Sequence, residues 1–171
     1  MKKILVILVL IIMLMVCKSE KNILIPDDAI RFRVIANSDS THDQEVKLKV
    51  KDNLQKELSL ILKDTKDVNK AKTLIKDNIY NLENIVENDL KNESYSYTLD
   101  YGMHYFPKKE YKGVIYEEGE YESLLVTLGE GNGKNWWCVL FPPMCLMEAE
   151  ENNTDDVEYK SFIKTIIEKY F

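Results

Sequence analysis

The side chains best suited to nucleophilic or metal chemistry in this sequence are three cysteines and two histidines. Cys138 and Cys145 flank Pro142-Pro143, a turn that could return the chain and bring the two thiols together. In an exported protein such a pair reads as a disulfide. The same residues also read as buried free thiols, because cysteine serves as a small core side chain. No metal centre is expected: Cys138, Cys145, His104 and His42 lack the paired Cys-x-x-Cys or His-x-x-x-His spacing of a tetrahedral site. Cys138 with His104 would make a nucleophile–base pair, but Cys138 lies in an apolar run, where burial keeps a thiol protonated and inert. Gly129-x-Gly131-x-Gly133 has the glycine density of a phosphate cradle. It leads into a strand rather than a helix N-terminus, and no Lys-Ser/Thr closes it, so it reads as a hairpin connection. Asp39 and Asp43 could hold a hard cation, yet capping by Ser40 or Thr41, with Asp43 in the first helical turn, accounts for them more simply. These residues form no persuasive active site, so the expectation is a protein without catalytic residues or cofactor.

Arg31 and Arg33 carry more information. They occupy one face of an alternating segment beside Asn37, Ser38 and Asp39. Two guanidinium groups next to a polar loop form a candidate partner-binding patch, because arginine pairs bidentately with carboxylates. The solvated face of an edge strand would use the same residue types.

These residues must be held by a small set of elements. Asn135–Cys145 contains both tryptophans and no charge. An apolar run of that kind predicts a strand buried on both faces, Trp136–Phe141, at the centre of a sheet. Trp136, Cys138 and Leu140 would face one layer, and Trp137, Val139 and Phe141 the other. Ile30–Ile35 alternates and reads as a half-buried strand. A helix starts near Thr41 and turns Val46, Val50, Leu54, Leu58, Ile61 and Leu62 to one side. After a break at Asp64–Asp67 a second helix carries Val68, Ala71, Ile75, Ile79, Leu82, Val86 and Leu90 on one face, completing a helical hairpin. Tyr95–Tyr105 alternates tyrosines with polar residues, Gly113–Tyr116 is a short strand or arm, and Tyr121–Leu128 is a further strand. Tyr159–Phe171 forms an amphipathic helix beyond an acidic linker. The predicted fold class is α+β: a mostly antiparallel sheet of four to five strands with a two-helix hairpin packed on it and a C-terminal helix. The predicted boundaries are a signal peptide or membrane segment over 1–17, a spacer over 18–28, a domain over 29–146, and the linker and helix over 147–171.

Composition narrows the function. The chain is 45% hydrophobic and 30% charged, as globular proteins are. Its net charge of −6 lacks the basic footprint of a nucleic-acid binder, and no nucleic-acid partner is expected. Met1-Lys2-Lys3 precedes the unbroken apolar run Ile4–Val16. As a helix this run spans about 20 Å, short of the roughly 30 Å hydrocarbon core, so it reads as the core of an export signal. No small-x-small cleavage site follows. Cys17 would suit a lipoprotein signal, but Val16 before it is too large. Export is expected, with the segment over 4–16 either removed or retained as a membrane contact.

Several blocks then resemble one family. Ile30-Arg31-Phe32-Arg33-Val34-Ile35-Ala36-Asn37-Ser38-Asp39-Ser40, with Asp43-Gln44 and Lys47-Leu48-Lys49-Val50, resembles the N-terminal signature of the stage II sporulation protein R family. Tyr101-Gly102-Met103-His104-Tyr105-Phe106-Pro107 resembles its middle block. Gly119-Glu120-Tyr121, the three spaced glycines, and Asn135–Cys145 resemble its C-terminal block. The likeness runs in order over about 26–146. It departs at Glu117-Glu118, where the family has a Pro-Ala pair, and at Ser123, where it has alanine. The resemblance implies a forespore protein exported into the space between the two membranes of a developing endospore. It implies a ligand, not an enzyme. Its partner would be a membrane-embedded aspartic-type protease of the mother cell, stage II sporulation protein GA, which processes the sigma-E precursor. The competing readings are an exported cysteine hydrolase using Cys138 and His104, and a passive structural protein of the septum.

Overall fold

A computed structural model describes residues 25–111, 114–145 and 156–170. The apolar segment over 4–16, Cys17 and most of the acidic linker lie outside the described residues. Among the described residues no helix is long and apolar enough to cross a membrane. In chain order the elements are β1 (Ile30–Ile35), α1 (Thr41–Leu62), α2 (Val68–Asp77), α3 (Ile79–Asp89), β2 (Tyr97–Phe106), β3 (Lys109–Tyr111), β4 (Val114–Tyr116), β5 (Gly119–Leu128), β6 (Asn135–Phe141) and α4 (Asp156–Tyr170).

The architecture is α+β. Four strands form one sheet in the order β2-β5-β1-β6, and β3 pairs with β4 in a separate two-stranded arm. The β2–β5 and β1–β6 pairs are antiparallel, while β1 and β5 run parallel. The sheet is therefore mixed. A parallel pair needs a long crossover, and here three helices and three strands intervene between its members.

Sequence explains the covering layer. Ser40 caps α1, its hydroxyl accepting from the Asp43 N–H at 3.1 Å. Val46, Val50, Leu54, Leu58 and Leu62 are buried from α1. They join Ile30, Phe32 and Val34 of β1 and Leu124, Val126 and Leu128 of β5 in the main core. Truncating a fully buried leucine there to alanine would cost about 2–5 kcal/mol. The expected second helix is two helices. Asn78 interrupts it at φ −106°, ψ 8°, and its side chain donates to the Leu74 carbonyl at 2.8 Å. An asparagine amide competes with the backbone in this way, ending one helix as the next begins. The apolar stripe survives the break: Ala71, Ile75, Leu82 and Val86 are all buried in the same core.

The strand expected at the centre of the sheet lies at its edge, since β6 ends the strand order. Both its faces are nonetheless covered. Trp136, Cys138 and Leu140 join the main core, whereas Trp137 and Val139 join a second one with Tyr116, Met144, Ile163 and Ile166. The β3–β4 arm and α4 supply that second cover, so burial on two faces did not require strands on two sides. Phe141 also departs from its expected face. The register shifts between Ile30 and Arg31, pairing Ile30 with Phe141 and Arg31 with Val139. The extra residue in β6 turns Phe141 into the main core beside Tyr170, with ring centroids 5.4 Å apart.

Candidate functional site

Strand pairing decides what surrounds the two arginines. Arg31 stands opposite Ser123 of β5 and Val139 of β6, and Arg33 opposite Leu125 and Trp137. This is the face of the sheet turned away from the helical hairpin. Arg31 is completely buried. Its guanidinium carbon is 3.4 Å from the centroid of Tyr121, 4.9 Å from that of Phe106 and 5.0 Å from that of Trp137. Nη2 donates to the Glu117 carbonyl at 3.2 Å, while among the described residues Nε and Nη1 have no hydrogen-bond partner. Burial pushes its pKa down to about 10; Tyr121 opposes the shift and Arg33 adds to it. Arg33 stacks 3.8 Å from the Phe106 centroid and donates to the Tyr105 carbonyl at 3.0 Å. Its pKa is lowered by burial as well. Among the described residues no carboxylate forms an ion pair with either arginine; aromatic faces take that place.

The loop after β1 is used locally. Asn37 Nδ2 donates to Asp43 Oδ2 at 2.9 Å, and the Ser38 hydroxyl donates to the same oxygen. These bonds hold the Asp43 carboxylate below its usual range. Asn37 Oδ1 accepts from the Glu130 N–H at 3.1 Å, and Asp39 Oδ1 from the Lys134 N–H at 2.7 Å. The glycine-rich connection is thus clamped onto the start of α1. Gly129 has φ +55°, and a Cβ there would sit 2.1 Å from Asn37 Oδ1. The connection is not the expected hairpin: β1 lies between β5 and β6, so the glycines carry the chain across the end of β1, where it meets Asn37 and Ser38.

The five residues expected to form a partner patch do not make one surface. Arg31 is buried, which corrects its expected place on a solvated face; the aromatic side chains of β2, β5 and β6 close over it. Arg33 is half-buried, and Asn37 and Ser38 are spent on capping. Asp39 remains exposed in the loop beyond β1, where its carboxylate accepts from Gln44 and from the Lys134 N–H.

The Cys–His reading does not survive the topology. Cys138 and Cys145 form a disulfide with Cα atoms 5.8 Å apart. His104 is on β2, at the opposite edge of the sheet from β6, and on the opposite face from Cys138. His104 is instead part of a polar array that sequence reasoning missed. Its Nδ1 lies 2.7 Å from Ser123 Oγ and its Nε2 2.9 Å from Asp100 Oδ2. Alternation placed Asp100, Gly102 and His104 on one face of β2, and the absent side chain of Gly102 lets the two flanking groups meet. Ser123 could not be added without the strand register, which sets it opposite Gly102. The serine is fully buried in a regular strand, so the array satisfies its hydroxyl rather than presenting it to a substrate.

A groove of about 250 Å³ is lined by Asn135 through Val139 of β6 with Lys109, Tyr111, Tyr116 and Met144. Trp137 is its firmest wall, edge-on to Phe106 at 5.5 Å and to Tyr116 at 5.3 Å. Lys109 Nζ lies 5.2 Å from the Trp137 centroid. Among the described residues no group of three or more His, Cys, Asp or Glu could hold a metal ion.

Residues 26–151 match the family model described as Stage II sporulation protein R. The chain belongs to the stage II sporulation protein R family. It is 40% identical over 134 residues to Stage II sporulation protein R of Bacillus subtilis (strain 168), an alignment covering 77% of this chain and 60% of that relative. The chain therefore spans less than two thirds of the relative's length. No solved structure matches it. The family region begins just before β1 and takes in the arginine cage, the clamped glycine loop, the disulfide and the β6 edge, while α4 lies beyond it.

Proposed function

We propose that this protein is an exported signalling ligand of endospore formation. It activates the membrane-embedded protease stage II sporulation protein GA, which then processes the sigma-E precursor. Family membership carries a sporulation role. Three observations support the finer reading. The apolar run Ile4–Val16 has the length of an export signal. The Cys138–Cys145 disulfide suits an oxidising space outside the cytoplasm. The residues that looked most chemical are committed to capping, caging or cross-linking rather than gathered around an open cleft. A protein built this way acts by contact, and the protease supplies the chemistry.

The test is deletion of the gene in its own sporulating host, with immunoblotting of the sigma-E precursor. The unprocessed precursor should accumulate, and the wild-type gene should restore processing. A Leu8→Asp, Ile11→Asp variant, whose segment inserts less well by a few kcal/mol per charge, should fail to restore it while remaining inside the forespore. Normal processing in the deletion strain refutes the activator role and leaves a structural role at the septum.

A further inference from the structure

We propose that the open edge of β6 is a docking groove for an extended, acidic peptide segment of a partner protein, which adds to the sheet as a fifth strand beside β6. The proposal rests on the reading of this chain as a protein that acts by binding. It adds where the partner sits and what chemistry it brings.

The first observation is topological. β6 ends the strand order, and among the described residues no strand pairs with its outer side. An open strand edge is a template for another chain, and proteins blunt such edges with charges, prolines or covering elements. The first half of β6 uses neither charge nor proline: Asn135 is exposed and Trp136 and Trp137 are half-buried, whereas Cys138 to Phe141 are buried. The other edge strand, β2, presents Asp100 and His104 on its outward face and is guarded accordingly.

The second observation is shape. Five consecutive β6 residues, Asn135 to Val139, line a groove of about 250 Å³ together with Lys109, Tyr111 and Tyr116 of the β3–β4 arm. A groove beside a strand whose first residues, Asn135 to Trp137, are accessible fits an extended backbone rather than a helix. Alternate side chains of the guest would fall towards Trp136 on one face and Trp137 on the other.

The third observation is charge. The whole chain carries 29 acidic against 23 basic residues, yet the groove lining contains no acidic residue and one lysine, Lys109. Lys109 is exposed, 5.2 Å from the Trp137 centroid, and Lys134 is exposed at the start of β6. Lys51 of α1 lies 5.1 Å from the Trp136 centroid on the other face, where it is also ion-paired with Asp52. Cations therefore flank the edge on both faces. An alternating guest with acidic side chains meets this pattern, and a basic guest does not. Trp137 is braced from behind by Arg31, Phe106 and Tyr116, so its wall is preformed and the guest bears most of the ordering cost.

The experiment uses the full chain and four pools of labelled nine-residue peptides. One pool alternates Glu with Val, Ile, Thr or Tyr, and a second replaces every Glu with Lys. The third and fourth are the same pools N-methylated at alternate amides, which removes strand pairing. Binding is read by peptide anisotropy and by tryptophan fluorescence. The acidic pool should bind saturably, and the basic and N-methylated pools at least tenfold more weakly. Lys109→Glu, on an exposed arm, should abolish the preference for acid without lowering the melting temperature. Equal binding of acidic and basic pools, insensitivity to N-methylation, or no binding overturns the proposal. So does a concentration-dependent dimer whose amide exchange slows at Asn135–Val139, because the occupant would then be a second copy. Precursor processing in the sporulating host separates the proposal from the function it rests on. A Lys109→Glu protein that loses peptide binding yet drives processing normally overturns the groove and leaves the activator role standing. Wild-type protein that binds the acidic pool but drives no processing supports the groove and refutes the activator role.

Discussion

Replacing Arg31 with methionine should leave the protein as stable as the wild type or more so, although Arg31 is among the most buried side chains in the molecule. Methionine keeps an unbranched stem of similar length and removes the charge. The substitution loses a desolvated cation–π contact with Tyr121, worth up to about 2 kcal/mol. It also loses the bond to the Glu117 carbonyl, about 1.5–3 kcal/mol for a charged donor. Against this, among the described residues Nε and Nη1 are buried without partners, each costing about 1–3 kcal/mol, and a buried charge with no counter-ion there adds several more. The lowered pKa of Arg31, about 10, reports the same burden. The two sides balance or favour methionine, so Arg31→Met should melt no more than about 3 °C below wild type. Arg31→Ala keeps the relief of charge but leaves a void between Tyr121, Phe106 and Trp137. It should lose about 2–4 kcal/mol, a fall of roughly 5–15 °C. Thermal melts by circular dichroism, with urea unfolding as a second measure, distinguish the two. If Arg31→Met melts as low as Arg31→Ala, the cage is a net stabiliser and the accounting above is wrong. A stable Arg31→Met protein that fails to drive precursor processing would show that the arginine is retained for function rather than for folding.

Three further outcomes are expected. Gly129→Ala forces a side chain into φ +55° and against Asn37 Oδ1, so it should cost about 1–3 kcal/mol in urea unfolding; an unchanged midpoint would mean the loop is not clamped. Reducing the Cys138–Cys145 disulfide, which spans a sequence separation of 7, should lower stability by roughly 2–3 kcal/mol, read as a lower melting temperature in dithiothreitol that Cys138→Ser, Cys145→Ser protein does not show. The His42 pKa is raised by its hydrogen bond to Glu93 at 2.9 Å and by that residue's charge. Its contribution is therefore full below the unfolded value of 6.5 and disappears as pH rises through the folded value. The melting-temperature gap between wild type and His42→Gln should be positive near pH 5 and closed near pH 9, and a gap that widens with pH would reverse the assignment.

Much of this protein was legible from local pattern. The 3.6-residue spacing of Val46, Val50, Leu54 and Leu58 specified a helix and its buried face, because helix periodicity is a property of neighbouring residues alone. The period of two in Ile30–Ile35 and in Tyr95–Tyr105 did the same for two strands, and the residue blocks of 26–146 pointed to the family. Lateral order was not legible. The apolar character of Trp136–Phe141 required burial on both faces, but the same burial is met at an edge once an arm and a helix cover it. Only the tertiary structure decided that β6 ends the strand order among the described residues. The arginines show the same limit. Alternation put Arg31 and Arg33 on one face of β1, but whether that face met water or aromatic rings depended on Phe106, Tyr121 and Trp137. Those rings arrive from strands 75, 90 and 106 residues later in the chain. The Asp100–His104–Ser123 array and the bulge that turns Phe141 depend on strand register, which is a relation between distant segments. A single strand's sequence carries which face is apolar; the partner it will face, and at what offset, is fixed by the free energy of the whole assembled sheet.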